Sequence, residues 1–192
     1  VFDGSSSESA GNVYTVEQLD ADFELYGRTH AWDGIYVGGS EWIDLPFAFE
    51  YNGWEQTEVL FSEEGYLDFG PGSSIRPIGN ADLNYYDDHF FGYIIAEDES
   101  YVLFNWYAQN DNSGSGESNS FQVILFANGE IQFNFAAMDG YGGSNAWGLL
   151  NSNFPDIDYN MYNLFGAQVW YMDWTSFLFT PHDISRGMGI LV

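Results

Sequence analysis

Residues 121–136, FQVILFANGEIQFNFA, constrain this chain more than any other stretch. Asn128-Gly129 separates two runs of β-branched and aromatic residues. Both central positions of a type I′ turn require φ > 0, which Asn-Gly tolerates best, so the stretch reads as a β-hairpin. A two-residue turn sets Phe126 opposite Ile131, Ile124 opposite Phe133 and Gln122 opposite Phe135, and that face is expected to be core. On the other face Phe121, Val123 and Leu125 meet Asn134, Gln132 and Glu130. One strand is apolar there and the other polar, so half cover is expected.

The rest of the chain follows the same grammar. Aromatic residues make up 20% of its 192 positions, and short aromatic segments alternate with Gly, Asn, Asp and Ser clusters. That pattern and length predict one all-β domain. Strands are expected at residues 42–49, 58–62, 65–70, 101–107, 146–150, 168–174 and 176–180, and residues 83–95 are aromatic-dense, interrupted by Asp87-Asp88-His89. Tyr51-Asn52-Gly53 reads as a turn, and residues 71–74 and 109–120 as loops. Residues 15–27 are ambiguous: Thr15 with Gln18 could form a capping box, while Phe23 and Leu25 alternate as in a strand, which is the favoured reading.

Charge excludes several functions. The chain carries 29 acidic residues against three basic ones, all arginine, for a net charge of −26. Such a surface repels phosphate backbones, so nucleic-acid binding is not expected. The acidity reads first as solubility, and second as an affinity for Ca²⁺, whose ligands are hard oxygens. No apolar run is long enough for a membrane-spanning helix. With no cysteine there is no disulfide or thiolate chemistry, and no asparagine begins an N-x-Ser/Thr sequon. Val1 in place of an initiator Met fits a mature chain.

The ends differ from the middle. Residues 1–14 form an N-terminal arm, rich in Gly and Ser over its first twelve positions and tipped by apolar Val1 and Phe2. Residues 15–181 form the body. Residues 182–192 form a C-terminal tail ending in Met188, Gly189, Ile190, Leu191 and Val192. An exposed segment of that kind is an aggregation hazard unless it pairs with a sheet edge, its own or a neighbour's. Val1, Phe2, Met188, Ile190, Leu191 and Val192 are therefore the candidate assembly residues.

The order of segments resembles the nidogen-like (NIDO-type) β-sandwich domain of bacterial and archaeal surface and secreted proteins. The matching residues are Leu45-Pro46-Phe47-Ala48-Phe49-Glu50-Tyr51-Asn52-Gly53, then Glu64-Gly65-Tyr66-Leu67-Asp68-Phe69-Gly70, then Tyr85-Tyr86-Asp87-Asp88. Residues 101–106, 121–135, 146–151 and 177–181 continue the pattern. The resemblance covers roughly residues 23–181. It departs where Glu64-Gly65 replaces the usual Asn-Gly and where Tyr86 replaces the Trp before the paired aspartates. It implies an antiparallel, jelly-roll-like β-sandwich in an extracellular or cell-surface module of adhesins, matrix proteins and secreted multidomain proteins, to which this chain adds its extended N- and C-terminal tails. It carries no shared catalytic residues.

Candidate sites are few. Asp87-Asp88-His89 sets two carboxylates side by side, which repel unless a cation or donor offsets them, so Asp87 and Asp88 are candidate Ca²⁺ ligands. Asp156 and Asp158, with Asn160, have the D-x-D-x-N opening of a calcium loop, but Met161 stands where its Gly belongs. Trp32, Trp42, Trp54, Trp147, Trp170 and Trp174 could stack on sugar rings if exposed. There is no G-x-S-x-G elbow, no H-E-x-x-H, and no lysine for a Schiff base or P-loop. The expectation is a non-enzymatic extracellular protein that self-assembles through its tails. A glycan- or protein-binding module is the alternative.

Overall fold

The two Asn-Gly pairs of this chain make different turns, and the difference sets the core. A computed structural model describes residues 13–20, 34–78, 90–109, 118–138, 148–151, 159–160 and 174–182. At Asn52-Gly53 both residues have positive φ, 55° and 78°, and Tyr51 pairs with Trp54 across a two-residue type I′ turn. At Asn128-Gly129 only Gly129 does, with φ 87°. Its N–H donates to Phe126 O at 2.9 Å, and Phe126 N–H donates to Glu130 O at 3.0 Å. This is the three-residue loop with a glycine bulge. Asn128 Oδ1 accepts from Glu130 N–H at 3.1 Å and holds the loop shut.

The extra loop residue corrects the expected hairpin register by one. Ile131 pairs with Leu125, Phe133 with Val123 and Phe135 with Phe121. A one-residue shift moves a whole side-chain set to the opposite face. Here it brings all six of these residues to one face, and all six are fully buried. The type I′ register would have divided them between the two faces. Ile124 and Phe126, expected in the core, are half-buried on the outer side.

Gly129→Ala tests this turn. A methyl group there meets an unfavourable φ and lies 3.2 Å from Pro181 Cγ. We expect a loss of about 1–2 kcal/mol in urea unfolding. Gly39→Ala, at ordinary φ and with no neighbour nearer than 3.7 Å, should stay within about 0.5 kcal/mol of the parent.

Thirteen strands are described: β1 (Val13–Asp20), β2 (Ile35–Tyr36), β3 (Glu41–Tyr51), β4 (Trp54–Ser62), β5 (Tyr66–Asp68), β6 (Ser73–Arg76), β7 (Phe90–Ile95), β8 (Tyr101–Gln109), β9 (Ser118–Phe126), β10 (Ile131–Met138), β11 (Gly148–Asn151), β12 (Tyr159–Asn160) and β13 (Thr175–His182). They form two antiparallel sheets. One has seven strands in the order β1-β13-β10-β9-β8-β7-β2, and the other six in the order β12-β11-β6-β5-β4-β3. The first half of the ambiguous segment is thus strand β1, and residues 21–27, with the favoured strand, lie outside the described residues. Part of the loop expected at residues 71–74 is β6. Among the described residues no helix is long and apolar enough to cross a membrane.

The sheets pack as a β-sandwich through their aromatic inner faces. Phe61 of β4 lies 5.3 Å from the ring of Phe104 and 4.7 Å from that of Trp106, both on β8. Trp106 stacks on Phe121 at 5.1 Å and donates its indole N–H to Ser62 O at 2.8 Å, a buried bond between the sheets. Strand β3 is an edge, and its register shifts between Asp44 and Phe49, a stretch containing Pro46. Proline has no N–H to give a ladder, so an edge with an irregular register is where it fits.

Candidate functional site

None of the residues singled out in advance for assembly or metal binding falls within the described residues. This holds for Val1, Phe2, Met188, Ile190, Leu191 and Val192, and for Asp87, Asp88, Asp156 and Asp158. Among the described residues no group of three or more His, Asp or Glu side chains is placed to hold a metal ion. Of the candidate tryptophans, Trp42, Trp54 and Trp174 are exposed, and Trp32, Trp147 and Trp170 lie outside the described residues.

The exposed tryptophans are dispersed. Trp42 pairs with Leu60 on the β3–β4 hairpin, six positions along β4 from Trp54. At the rise of a strand that is about 20 Å. Trp174 immediately precedes β13 of the other sheet, where its main-chain N–H donates to Ala136 O at 3.1 Å.

An uncovered margin is more informative. In an antiparallel pair, residues directly opposite share a face. Ile35 of β2 pairs with Tyr93 of β7, which pairs with the fully buried Phe104. Ile95 pairs with the fully buried Val102. Ile35 and Ile95 therefore stand at core-facing positions, yet they are 53% and 38% exposed. The second sheet does not reach over them. Tyr93, packed against the core and 6.3 Å from the Phe104 ring, is only partly covered.

Acidic groups border this margin. Burial first, then the charges of Glu41 and Asp44 on β3, push the Tyr93 phenol above its ordinary pKa. A raised folded pKa contributes stability that is complete below the unfolded value and is lost as pH rises through the folded one. Farther along the same hairpin, Asp44 sits opposite Glu58 and Glu50 opposite Glu55. Like charges directly opposite destabilise a ladder, so added salt should firm this hairpin.

The outer face of the seven-stranded sheet carries a feature the sequence did not announce. Ser176, Asn134, Gln122 and Asn105 lie in one row across β13, β10, β9 and β8, all of them buried. Ser176 Oγ donates to Asn134 Oδ1 at 2.8 Å, Asn134 Nδ2 to Gln122 Oε1 at 3.1 Å, and Gln122 Nε2 to Asn105 Oδ1 at 3.0 Å. Asn134 and Gln122 each give to one neighbour and accept from the other, which is how a polar row can be buried at low cost. The one available signal was four polar residues interrupting apolar strands.

No family model, curated protein or solved structure matches this chain.

Proposed function

We propose that this chain is a non-enzymatic extracellular structural or adhesion protein, a self-assembling subunit of a surface filament or matrix whose terminal segments add strands to neighbouring copies. One observation carries the reading. Strands β1 and β13 pair at one margin of the seven-stranded sheet, with Val13 opposite His182. Residues 1–12 and 183–192 thus join the body at a single corner. Both segments have apolar tips. Strand addition by such a tip uses main-chain hydrogen bonds for affinity and alternate side chains for register. A head-to-tail contact that does not close on itself builds a fibre. The motif order resembling nidogen-like domains points the same way, toward an extracellular module. The net charge of −26 would keep free subunits apart in dilute salt.

Sedimentation tests it. The full chain should form species larger than a monomer, and deletion of residues 183–192 or 1–12 should return it to monomers. Assembly unaltered in both truncations removes the reading.

The exposed Trp42 and Trp54 favour a second reading, a glycan-binding module stabilised by Ca²⁺. That reading expects a monomer with glycan-array signals lost on Trp42→Ala or Trp54→Ala, and a melting temperature lowered by chelation. The separation of about 20 Å between their positions along the hairpin argues against one shared stacking platform and places this reading second.

A further inference from the structure

We propose that the open margin formed by β2 and β7, facing β3, is the acceptor for residues 188–192 of a second copy of this chain, with Arg186 of that copy set against Glu41 and Asp44. This rests on the assembly reading above and names its docking site.

The margin has what an incoming strand needs. Ile35 and Ile95 offer apolar surface at core-facing positions, exposed to solvent. Among the described residues β2 pairs with β7 at Gly92 and Tyr93, and Val37 N–H donates to Phe91 O at 3.0 Å, while β7 runs on to Ile95. Among the described residues the main chain at Ile94 and Ile95 is paired on the β8 side alone. A strand entering there continues the sheet and covers Ile95 at the same time. Alternation puts Met188, Ile190 and Val192 on one face of such a strand, and Gly189 leaves room on the other.

Charge fits as well. The chain has only three basic residues, Arg28, Arg76 and Arg186, and Arg186 lies two positions before the apolar run. The margin it would meet is acidic, with Glu41 and Asp44 exposed on the neighbouring strand. Few other segments of so acidic a chain could approach that border without repulsion.

Reach decides between the molecule's own tail and another's. β13 and β2 are five strand spacings apart in the seven-stranded sheet. At the usual spacing that is about 24 Å. From His182 to Met188 is a reach of six residue steps, at most about 22 Å fully extended. The apolar run therefore falls short of its own margin, and a second copy must supply it.

The test uses full-length chains. Ile95→Asp blocks the acceptor and keeps the tail; Ile190→Asp blocks the tail and keeps the acceptor. By sedimentation each alone should be monomeric, and their equimolar mixture should form a dimer and stop there. If Ile190→Asp abolishes assembly while Ile95→Asp and Ile35→Asp leave it intact, the tail docks elsewhere; this acceptor is then wrong and the assembly reading survives. If the parent chain is itself monomeric, the assembly reading fails and this proposal with it. Circular dichroism checks that the aspartate variants fold. Because the chain has no cysteine, Ile95→Cys mixed with Ile190→Cys and a short bis-maleimide gives a second readout. A covalent dimer of the two variants supports the proposal, and thiols that react without joining overturn it.

Discussion

Trp106→Ala is expected to bring this chain close to unfolding in plain buffer. The Trp106 side chain is fully buried, its ring lies between Phe61 and Phe121, and its N–H is satisfied by Ser62 O of the facing sheet. Truncating a large buried aromatic costs about 3–5 kcal/mol through lost burial and the cavity left behind. The carbonyl of Ser62 also loses its indole donor across the interface, adding about 1–3 kcal/mol. Together these approach the whole stability of an ordinary domain, about 5–15 kcal/mol. Trp106→Phe separates the two contributions. It keeps an aromatic ring and loses the N–H, so we expect a loss of about 2 kcal/mol and an unchanged urea m-value. A phenylalanine variant as damaged as the alanine one would put the cost in the hydrogen bond. One as stable as the parent would show the bond contributes nothing.

The strands that announced themselves are those whose burial follows a simple alternation. Residues 101–107 and the two arms of the 121–136 hairpin are strands because every second side chain enters the core. The turn between those arms was not legible from Asn-Gly alone. The same dipeptide makes a type I′ turn at residues 52–53 and a bulged loop at 128–129. What separates them is burial: only the shifted register gathers Phe121, Val123, Leu125, Ile131, Phe133 and Phe135 on one face. β1 was hidden for a different reason. Thr15 and Gln18 offer local helix chemistry, and the strand is chosen by pairing with β13, more than 150 residues away in sequence. β6 was hidden because Ser73 and Ser74 carry no apolar alternation. The uncovered margin could not be read in advance, since Ile35 and Ile95 look like core residues until the reach of the second sheet is known.

The second large loss is expected at Asn134, in the middle of the amide row. Its Nδ2 donates to Gln122 Oε1, and its Oδ1 accepts from Ser176 Oγ at 2.8 Å and from Gln132 Nε2 at 2.7 Å. Asn134→Ala removes partners from three side chains at once, two of them buried. A buried polar group left without its partner costs about 1–3 kcal/mol, so a loss of about 3 kcal/mol is expected in urea unfolding. Asn134→Asp should be at least as harmful. A carboxylate still accepts from Ser176 and Gln132 but faces Gln122 Oε1 with a second acceptor. Gln122 must then turn its amide, and its bond to Asn105 Oδ1 is lost with it. The double variant Asn134→Ala with Gln122→Ala should lose less than the sum of the two singles by about 1 kcal/mol or more, because the second change removes a group the first had already orphaned. Additive losses would mean that the four side chains act separately. Coupled ones would show that the row acts as a unit. A slip of one residue in any of β8, β9, β10 or β13 breaks the row and turns apolar side chains out of the core. If the β2–β7 margin takes in a strand from another molecule, as proposed, the sheet has reason to hold its own strands in a single register.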